Sequence, residues 1–192
     1  MYIATWTMVA GVIVLLTASE TVPGAGRQVL VCLDARGVVP GSVQLAAKAH
    51  SSAIYEKIGI DLKWERLAAC ADGGIAIDVR GDAVKGASPM ALAHALPFGT
   101  GPQRITVFYN RVKNVIRFEE LSAGAILGHI LAHEIGHVLM ATNSHSTTGL
   151  MQAQWSGMEI SSMSFAPLGF SEEEAQTIRR RLDSGNLTAS RR

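Results

Sequence analysis

The sequence predicts an α+β fold, and two observations lead to this prediction. Short runs with the apolar pattern of β-strands are separated by longer stretches with helical spacing. One of these stretches, residues 121–140, is strongly apolar throughout. The resulting order is strand, helix, three strands, long helix, loop and helix, which is that of an α+β protein. The chain has 192 residues, of which 48% are hydrophobic, enough for one domain with a substantial core.

The first strand and the first helix follow residue 26. Residues 28–34 form an apolar strand. Pro40 begins a helix, since proline suits the first turn, and Gly59 suits its C-terminal end. The apolar stripe of this helix consists of Val43, Ala47, His50, Ile54 and Ile58. We therefore interpret His50 as a structural residue.

Three further strands come next. Residues 60–65 and 74–80 alternate apolar and polar side chains, as half-buried strands do. Residues 104–112 form the last strand, with Ile-Thr-Val-Phe-Tyr at its centre. Between these strands, residues 81–103 are predicted to be a connection, because glycine and proline interrupt them repeatedly.

A last helix is predicted near the C-terminus. Ser171 with Glu174 three residues later forms a capping box, and the helix runs through Leu182. Acidic residues at its start and arginines near its end suit the helix dipole. Residues 184–192 are expected to be a flexible tail, so the folded domain spans residues 27–183.

Residues 1–26 have the features of a secretory signal peptide. An apolar core from Val9 to Leu16 is followed by the small residues Ala18 and Ser19, although no lysine or arginine precedes the core. The alternative is an uncleaved membrane anchor, but the apolar run is short for a membrane span. We expect a secreted or periplasmic protein with no stable membrane anchor after cleavage.

Charge and cysteine content add two constraints. The net charge of +1 gives no indication of nucleic-acid binding or of membrane-surface binding. The two cysteines, Cys32 and Cys70, each lie in or just after a predicted strand. Export permits a disulfide between them, and two small buried thiols are the alternative.

The residues that indicate chemistry lie in the last turns of the long helix. His133 and His137 are four residues apart, which places both imidazoles on one helix face, and Glu134 lies beside them. A third histidine, His145, follows in a short loop. Three imidazoles can bind Zn²⁺ and leave a position open for water, with Glu134 as general base. The alternative is a buried helix whose histidines are satisfied in the core.

This pattern, followed by the turn Gly149-Leu150-Met151, resembles the metzincin clan of zinc metalloproteases. The resemblance implies a zincin-like fold with a mixed twisted sheet of about four strands, a first packing helix, the zinc-motif helix and a C-terminal helix. It also implies that Met151 belongs to the Met-turn beneath the metal. By the same resemblance, the strand at residues 104–112 would border the cleft as an edge strand.

The sequence departs from the metzincin pattern at two positions. The family has H-E-x-x-H-x-x-G-x-x-H, whereas this chain has Met140 at the glycine and Asn143 at the third histidine. A neutral amide is a poor zinc ligand beside imidazole. We therefore expect His145, two residues later, to be the third ligand. The helix would then run slightly further, or the turn would be wider.

Residues 92–95 after Gly81-Asp82 are similar to the structural-metal loop of matrixins. Arg80 stands where that loop has a histidine, and no second histidine follows His94. We therefore expect one catalytic zinc ion and do not favour a second, structural ion. His94 packs under the strand edge or lines the cleft.

Two more residues near the motif have alternative interpretations. His129 lies one turn before His133 on nearly the same face, too far along the helix to share the metal, and is interpreted as a core residue or a support for the ligands. Trp155 follows the Met-turn and either lines a specificity pocket or packs in the core.

Together these features predict a secreted zinc-dependent endopeptidase that hydrolyses peptide bonds through a metal-activated water, with Glu134 as general base. Its partners would be peptide or protein substrates. The alternatives are an exported zinc-binding protein of the same fold without peptidase activity, and an exopeptidase or amidase. The sequence does not assign the substrate-binding residues.

Overall fold

The computed structural model describes residues 27–71, 73–83, 86, 88, 91–96, 103–116 and 120–185. The predicted signal peptide lies outside these residues, as do positions 186–192 of the predicted tail. The described chain has an α+β fold with one mixed sheet, which confirms the predicted fold class.

The sheet has five strands in the order β2-β1-β3-β5-β4. The strands are β1 (Arg27–Asp34), β2 (Ile60–Glu65), β3 (Ile75–Arg80), β4 (Ala93–Ala95) and β5 (Gln103–Phe108). The pairs formed by β1, β2, β3 and β5 are parallel, and β4 pairs with β5 in the antiparallel direction. The count exceeds the predicted four because β4 lies within the stretch predicted to be a connection.

The prediction for residues 104–112 was wrong in two respects. The strand ends at Phe108, and the helix α2 (Tyr109–Val115) follows at once. The edge of the sheet is β4, whereas β5 lies between β3 and β4. The apolar run passes from strand to helix without a glycine or proline, and no side-chain hydrogen bond caps the helix at Phe108.

The remaining helices are α1 (Gly41–Glu56), α3 (Glu120–Met140), α4 (Gly157–Ser162) and α5 (Glu172–Asp183). The capping box at Ser171 forms as predicted. Within the described residues, α3 over Ala123–Met140 has the length and hydropathy of a membrane span, yet 94% of that stretch is buried inside the protein. It is therefore the central helix of the core.

Close packing of α1 against α3 fixes where α3 lies. A Cβ atom added at Gly128 would lie 2.6 Å from the Cβ atom of His50. The two helices can therefore approach this closely only because Gly128 has no side chain. The Ser51 hydroxyl donates to the Gly128 carbonyl at 2.7 Å, and the Tyr55 hydroxyl donates to the Ala132 carbonyl at 2.9 Å. These contacts join α1 to α3.

A disulfide bond joins Cys32 of β1 to Cys70, the last residue of a short 3-10 helix (Leu67–Cys70). Both cysteines are buried in a small second hydrophobic cluster with Ala76. Of the two possibilities left open by the sequence, the structure has the bonded pair.

Candidate metal centre

The last turns of α3 present two histidines on one face. His133 and His137 are buried, with 8% and 6% of their surface exposed, and their Nε2 atoms are 3.0 Å apart. His145 enters from the loop after α3 and is itself exposed. Each of the three offers a ring nitrogen, and these nitrogens all lie within 4.8 Å of one another.

Backbone carbonyls fix the tautomers of the two helical histidines. His133 Nδ1 lies 2.9 Å from the Leu150 carbonyl oxygen, and His137 Nδ1 lies 2.8 Å from the Thr142 carbonyl oxygen. A carbonyl only accepts, so Nδ1 carries the proton in each ring, and the neutral ring has its lone pair at Nε2. The two Nε2 lone pairs therefore converge.

This donor set fits a zinc ion. Two lone pairs 3.0 Å apart repel each other unless a cation lies between them. A proton does not fill this role near neutral pH, because burial lowers the pKa of His133 to about 4 and also lowers the pKa of His137. Two nitrogens bound to one tetrahedral zinc ion lie roughly 3.3 Å apart, close to the observed separation.

The end of α3 accounts for one of the two residues by which His145 comes later than the metzincin pattern. Met140 remains helical, and Ala141 adopts a left-handed conformation with φ of 48°. The N–H groups of Ala141 and Thr142 donate to the Val138 and His137 carbonyls, which is the Schellman arrangement. The turn thus comes one residue after the position of the metzincin glycine, and it brings the Thr142 carbonyl to His137.

The chain after His145 is fixed by two contacts of Ser146. Its backbone N–H donates to the Met151 carbonyl at 2.8 Å, and its hydroxyl donates to the carboxylate of Glu174 in α5. The structure therefore brings His133, His137 and His145 together, whereas Asn143 is exposed on the cleft wall.

Met151 lies directly against the motif helix. It is 1% exposed, and a Cβ atom added at Gly136 would lie 2.9 Å from its sulfur. Gly136 stands between the two helical histidines in sequence, so the Met151 side chain packs against α3 at the motif, in the space that this glycine leaves.

Glu134 joins the helix to the edge strand. The Ala95 backbone N–H donates to its carboxylate. Burial raises the pKa of Glu134 to about 7, and the hydrogen bond from Ala95 opposes that shift. The carboxylate lines the same cleft as the histidine cluster, within reach of a substrate bound there.

The cleft has a volume of about 640 Å³ and is bordered by β4. Backbone hydrogen bonds join Phe108 N–H to Leu92 at 2.9 Å and Leu96 N–H to Arg104 at 3.1 Å. Because pairing alternates along an antiparallel ladder, the peptide groups of the two alanines in β4 point away from β5. Other lining side chains include His94, Ile130, Asn143, Gln152, Trp155 and Ile160.

Sequence reasoning missed the backbone groups that orient the site. Three backbone groups contact the site: the carbonyls of Leu150 and Thr142 and the N–H of Ala95. Every residue type has these groups, so the sequence does not indicate their role. Trp155 was expected either to line a pocket or to pack in the core. It lines the cleft, and its Nε1 donates to the Leu150 carbonyl at 3.2 Å. His94 lies in the middle of β4, exposed on the cleft side.

No protein-family model and no curated protein matches the chain. Among solved structures, the chain is similar to the crystal structure of archaemetzincin from Methanopyrus kandleri. The two are 16% identical with a TM-score of 0.50, and the match covers 81% of this chain and 94% of that one. At this identity the similarity shows the fold, and the fold of this chain is zincin-like.

Proposed function

We propose that this protein is an exported zinc-dependent endopeptidase related to the metzincins, with a matrixin-like segment at residues 92–95. The observation that carries the proposal is the convergence of three histidine nitrogens beside a buried carboxylate in a zincin-like fold. Structural zinc sites are closed by their ligands and need no base. Glu134 therefore supports catalysis over simple zinc binding.

His133, His137 and His145 would hold the ion through nitrogen atoms. When bound, zinc supplies a Lewis acid that polarises the scissile carbonyl and acidifies water. Glu134 would accept a proton from the attacking water at a carboxylate oxygen and deliver it to the leaving amine as the peptide C–N bond breaks. The Ala95 N–H steadies this carboxylate at the edge of the sheet.

The edge strand favours internal cleavage of an extended peptide. Apart from the Ala95 N–H, which donates to Glu134, the outward peptide groups of β4 can pair with a substrate chain that lies along the cleft. Among the described residues that line the cleft, Glu134 is the acidic one, and lysine and arginine do not occur. We therefore expect a substrate with uncharged side chains on both sides of the scissile bond.

The test separates metal binding from hydrolysis. A digest of mixed peptides is analysed by mass spectrometry for the wild type, Glu134→Gln and Glu134→Ala, with zinc content measured in each. Both variants should retain zinc and lose cleavage by at least about 100-fold, the scale of a general base. Glu173→Gln on the surface of α5 is the matched control and should cleave like the wild type.

Each alternative has its own outcome. Internal cuts that stop with a chelator support the endopeptidase, and trimming from a terminus supports an exopeptidase. Zinc binding without any cleavage by the wild type supports a binding protein. Full activity of Glu134→Ala would overturn the mechanism.

A further inference from the structure

His129 is a buried histidine that the proposed chemistry does not use. It lies in α3 one turn before His133, and none of its surface is exposed. Its Nδ1 lies 2.7 Å from the Ala125 carbonyl oxygen, so this nitrogen carries the proton. Its Nε2 accepts from the backbone N–H of Leu168 at 3.0 Å. The neutral ring is therefore satisfied at both ends.

The bond to Leu168 holds the segment between α4 and α5. The next residue, Gly169, accepts from the Leu150 N–H at 2.9 Å through its carbonyl. The bond to Leu168 thus restrains the chain one residue before the Gly169 carbonyl. That carbonyl in turn holds the backbone of Leu150 at its N–H group.

Leu150 orients the first candidate ligand. Its carbonyl accepts from His133 Nδ1 at 2.9 Å and from Trp155 Nε1 at 3.2 Å. A shift of the Leu150 backbone would move this carbonyl away from His133 and turn the ring. The Trp155 ring meets the rings of both His129 and His133 edge-on, with centroid distances of 6.4 Å and 5.6 Å.

We propose that His129 is a positioning residue for His133. It acts through Leu168, Gly169 and Leu150, a path of three hydrogen bonds that ends at His133 Nδ1. The inference rests on the proposed zinc site, since its effect is to aim His133 Nε2 at the position that His137 and His145 also face.

The side chain at position 129 must donate at one end and accept at the other in a fully buried position. Glutamine can do both, with its amide NH₂ towards Ala125 and its oxygen towards Leu168. Leucine fills space but does neither. Asparagine has both groups on a side chain too short to span the two partners.

The experiment measures Co²⁺ binding to the full chain by its visible absorption, with denaturant unfolding of the metal-free protein alongside. His129→Leu should weaken Co²⁺ binding by about tenfold, the scale of losing a partner that orients a ligand, and should alter the absorption spectrum. His129→Gln should restore affinity and spectrum. Ser51→Ala is the matched control, because it removes a buried hydrogen bond from α3 outside this path.

A purely structural role predicts a different pattern. His129→Leu would then lose stability while its Co²⁺ affinity and spectrum stayed at the wild-type values, or Ser51→Ala would weaken Co²⁺ binding equally. Either result overturns the proposal. If His129→Leu does not fold, the comparison moves to Asn and Gln at this position, and equal Co²⁺ affinities of those two variants overturn it.

These readouts do not depend on hydrolysis. A wild type that binds Co²⁺ but cleaves no peptide contradicts the proposed function and leaves the inference about His129 standing. A wild type that binds no Co²⁺ overturns both.

Discussion

Ala141 sets the geometry of the second candidate ligand. Its φ of 48° lies in the left-handed region, which an alanine adopts at a cost of roughly 1–2 kcal/mol because its Cβ crowds the backbone. The conformation completes the turn that places the Thr142 carbonyl 2.8 Å from His137 Nδ1. A strained backbone at this position therefore supports the orientation of an imidazole.

Ala141→Gly should raise the free energy of unfolding by about 1 kcal/mol, since glycine adopts positive φ without that crowding. Denaturant unfolding measures the change. The control is Ala53→Gly on the exposed face of α1, which should lower the free energy of unfolding by about 1 kcal/mol, as glycine does in a helix interior. A loss of stability at both positions would contradict the argument.

His145, rather than Asn143, should be the third zinc ligand. Its ring nitrogen lies with those of His133 and His137, whereas Asn143 lies on the cleft wall. His145→Ala should lower zinc affinity by more than the roughly 100-fold that loss of an outer partner can cost. Asn143→Ala should bind zinc like the wild type. Competition with a chelating dye measures both, and the reverse result would restore the metzincin spacing.

Sequence reasoning named the three histidines that the structure brings together, but not the backbone groups that orient them. The spacing of His133 and His137 on one helix face follows from helix geometry alone. The carbonyl of Leu150 reaches His133 only because the chain after α3 folds back onto it, and the residue type at position 150 does not determine that path. The neighbours of a backbone group depend on tertiary structure.

At the scale of elements, the crossing of α1 and α3 depends on glycine. Besides the close approach of His50, a Cβ atom at Gly128 would lie 2.9 Å from the Ala47 carbonyl oxygen. Neither the backbone of α1 nor the Cβ atom of His50 can rotate away. A larger residue at position 128 must therefore push the helices apart.

Gly128→Ala should lower the free energy of unfolding by about 1–3 kcal/mol through overpacking, although alanine is the better helix former. Gly41→Ala is the matched control, since nothing lies within 4 Å of a Cβ atom at that position. It should be neutral or slightly stabilising. Denaturant midpoints of the two variants decide the matter, and equal midpoints would mean that the crossing tolerates a methyl group.

The elements also show where sequence patterns lose information. The stripe of α1 was readable because its period persists over sixteen residues. The edge strand β4 has three residues, too few to establish a period, and it lies in a glycine-rich stretch. Alternation indicates that a strand has a buried face but does not tell which neighbour it pairs with. The edge position of β5 was predicted from the metzincin resemblance alone, and β4 was not recognised beside it.

For the whole molecule, we propose export through the apolar N-terminal segment. Protein recovered from an oxidising compartment should begin between Ala18 and Arg27, because the small residues after the apolar core suit signal cleavage. Intact-mass measurement locates the new terminus. Recovery of the chain from Met1 in a membrane fraction would identify the segment as an anchor.

The Cys32–Cys70 disulfide should make the stability of the whole domain depend on that compartment. The bond spans 38 residues of sequence. In the chain-entropy account, closing a loop of this size stabilises the folded state by about 4 kcal/mol. Exported protein should contain no free thiol by alkylation and mass spectrometry, and reductant should lower its denaturant midpoint.

The Cys32→Ser/Cys70→Ser double variant is the control for the disulfide. It should unfold at the lower midpoint with or without reductant, since no bond remains to be reduced. Two alkylated thiols in protein from an oxidising compartment would contradict the bond. A reductant effect of equal size in the double variant would show that the loss of stability arises elsewhere. β1 lies between β2 and β3 in the sheet and pairs with both. The disulfide at Cys32 therefore restrains the strand that joins β2 to the rest of the sheet.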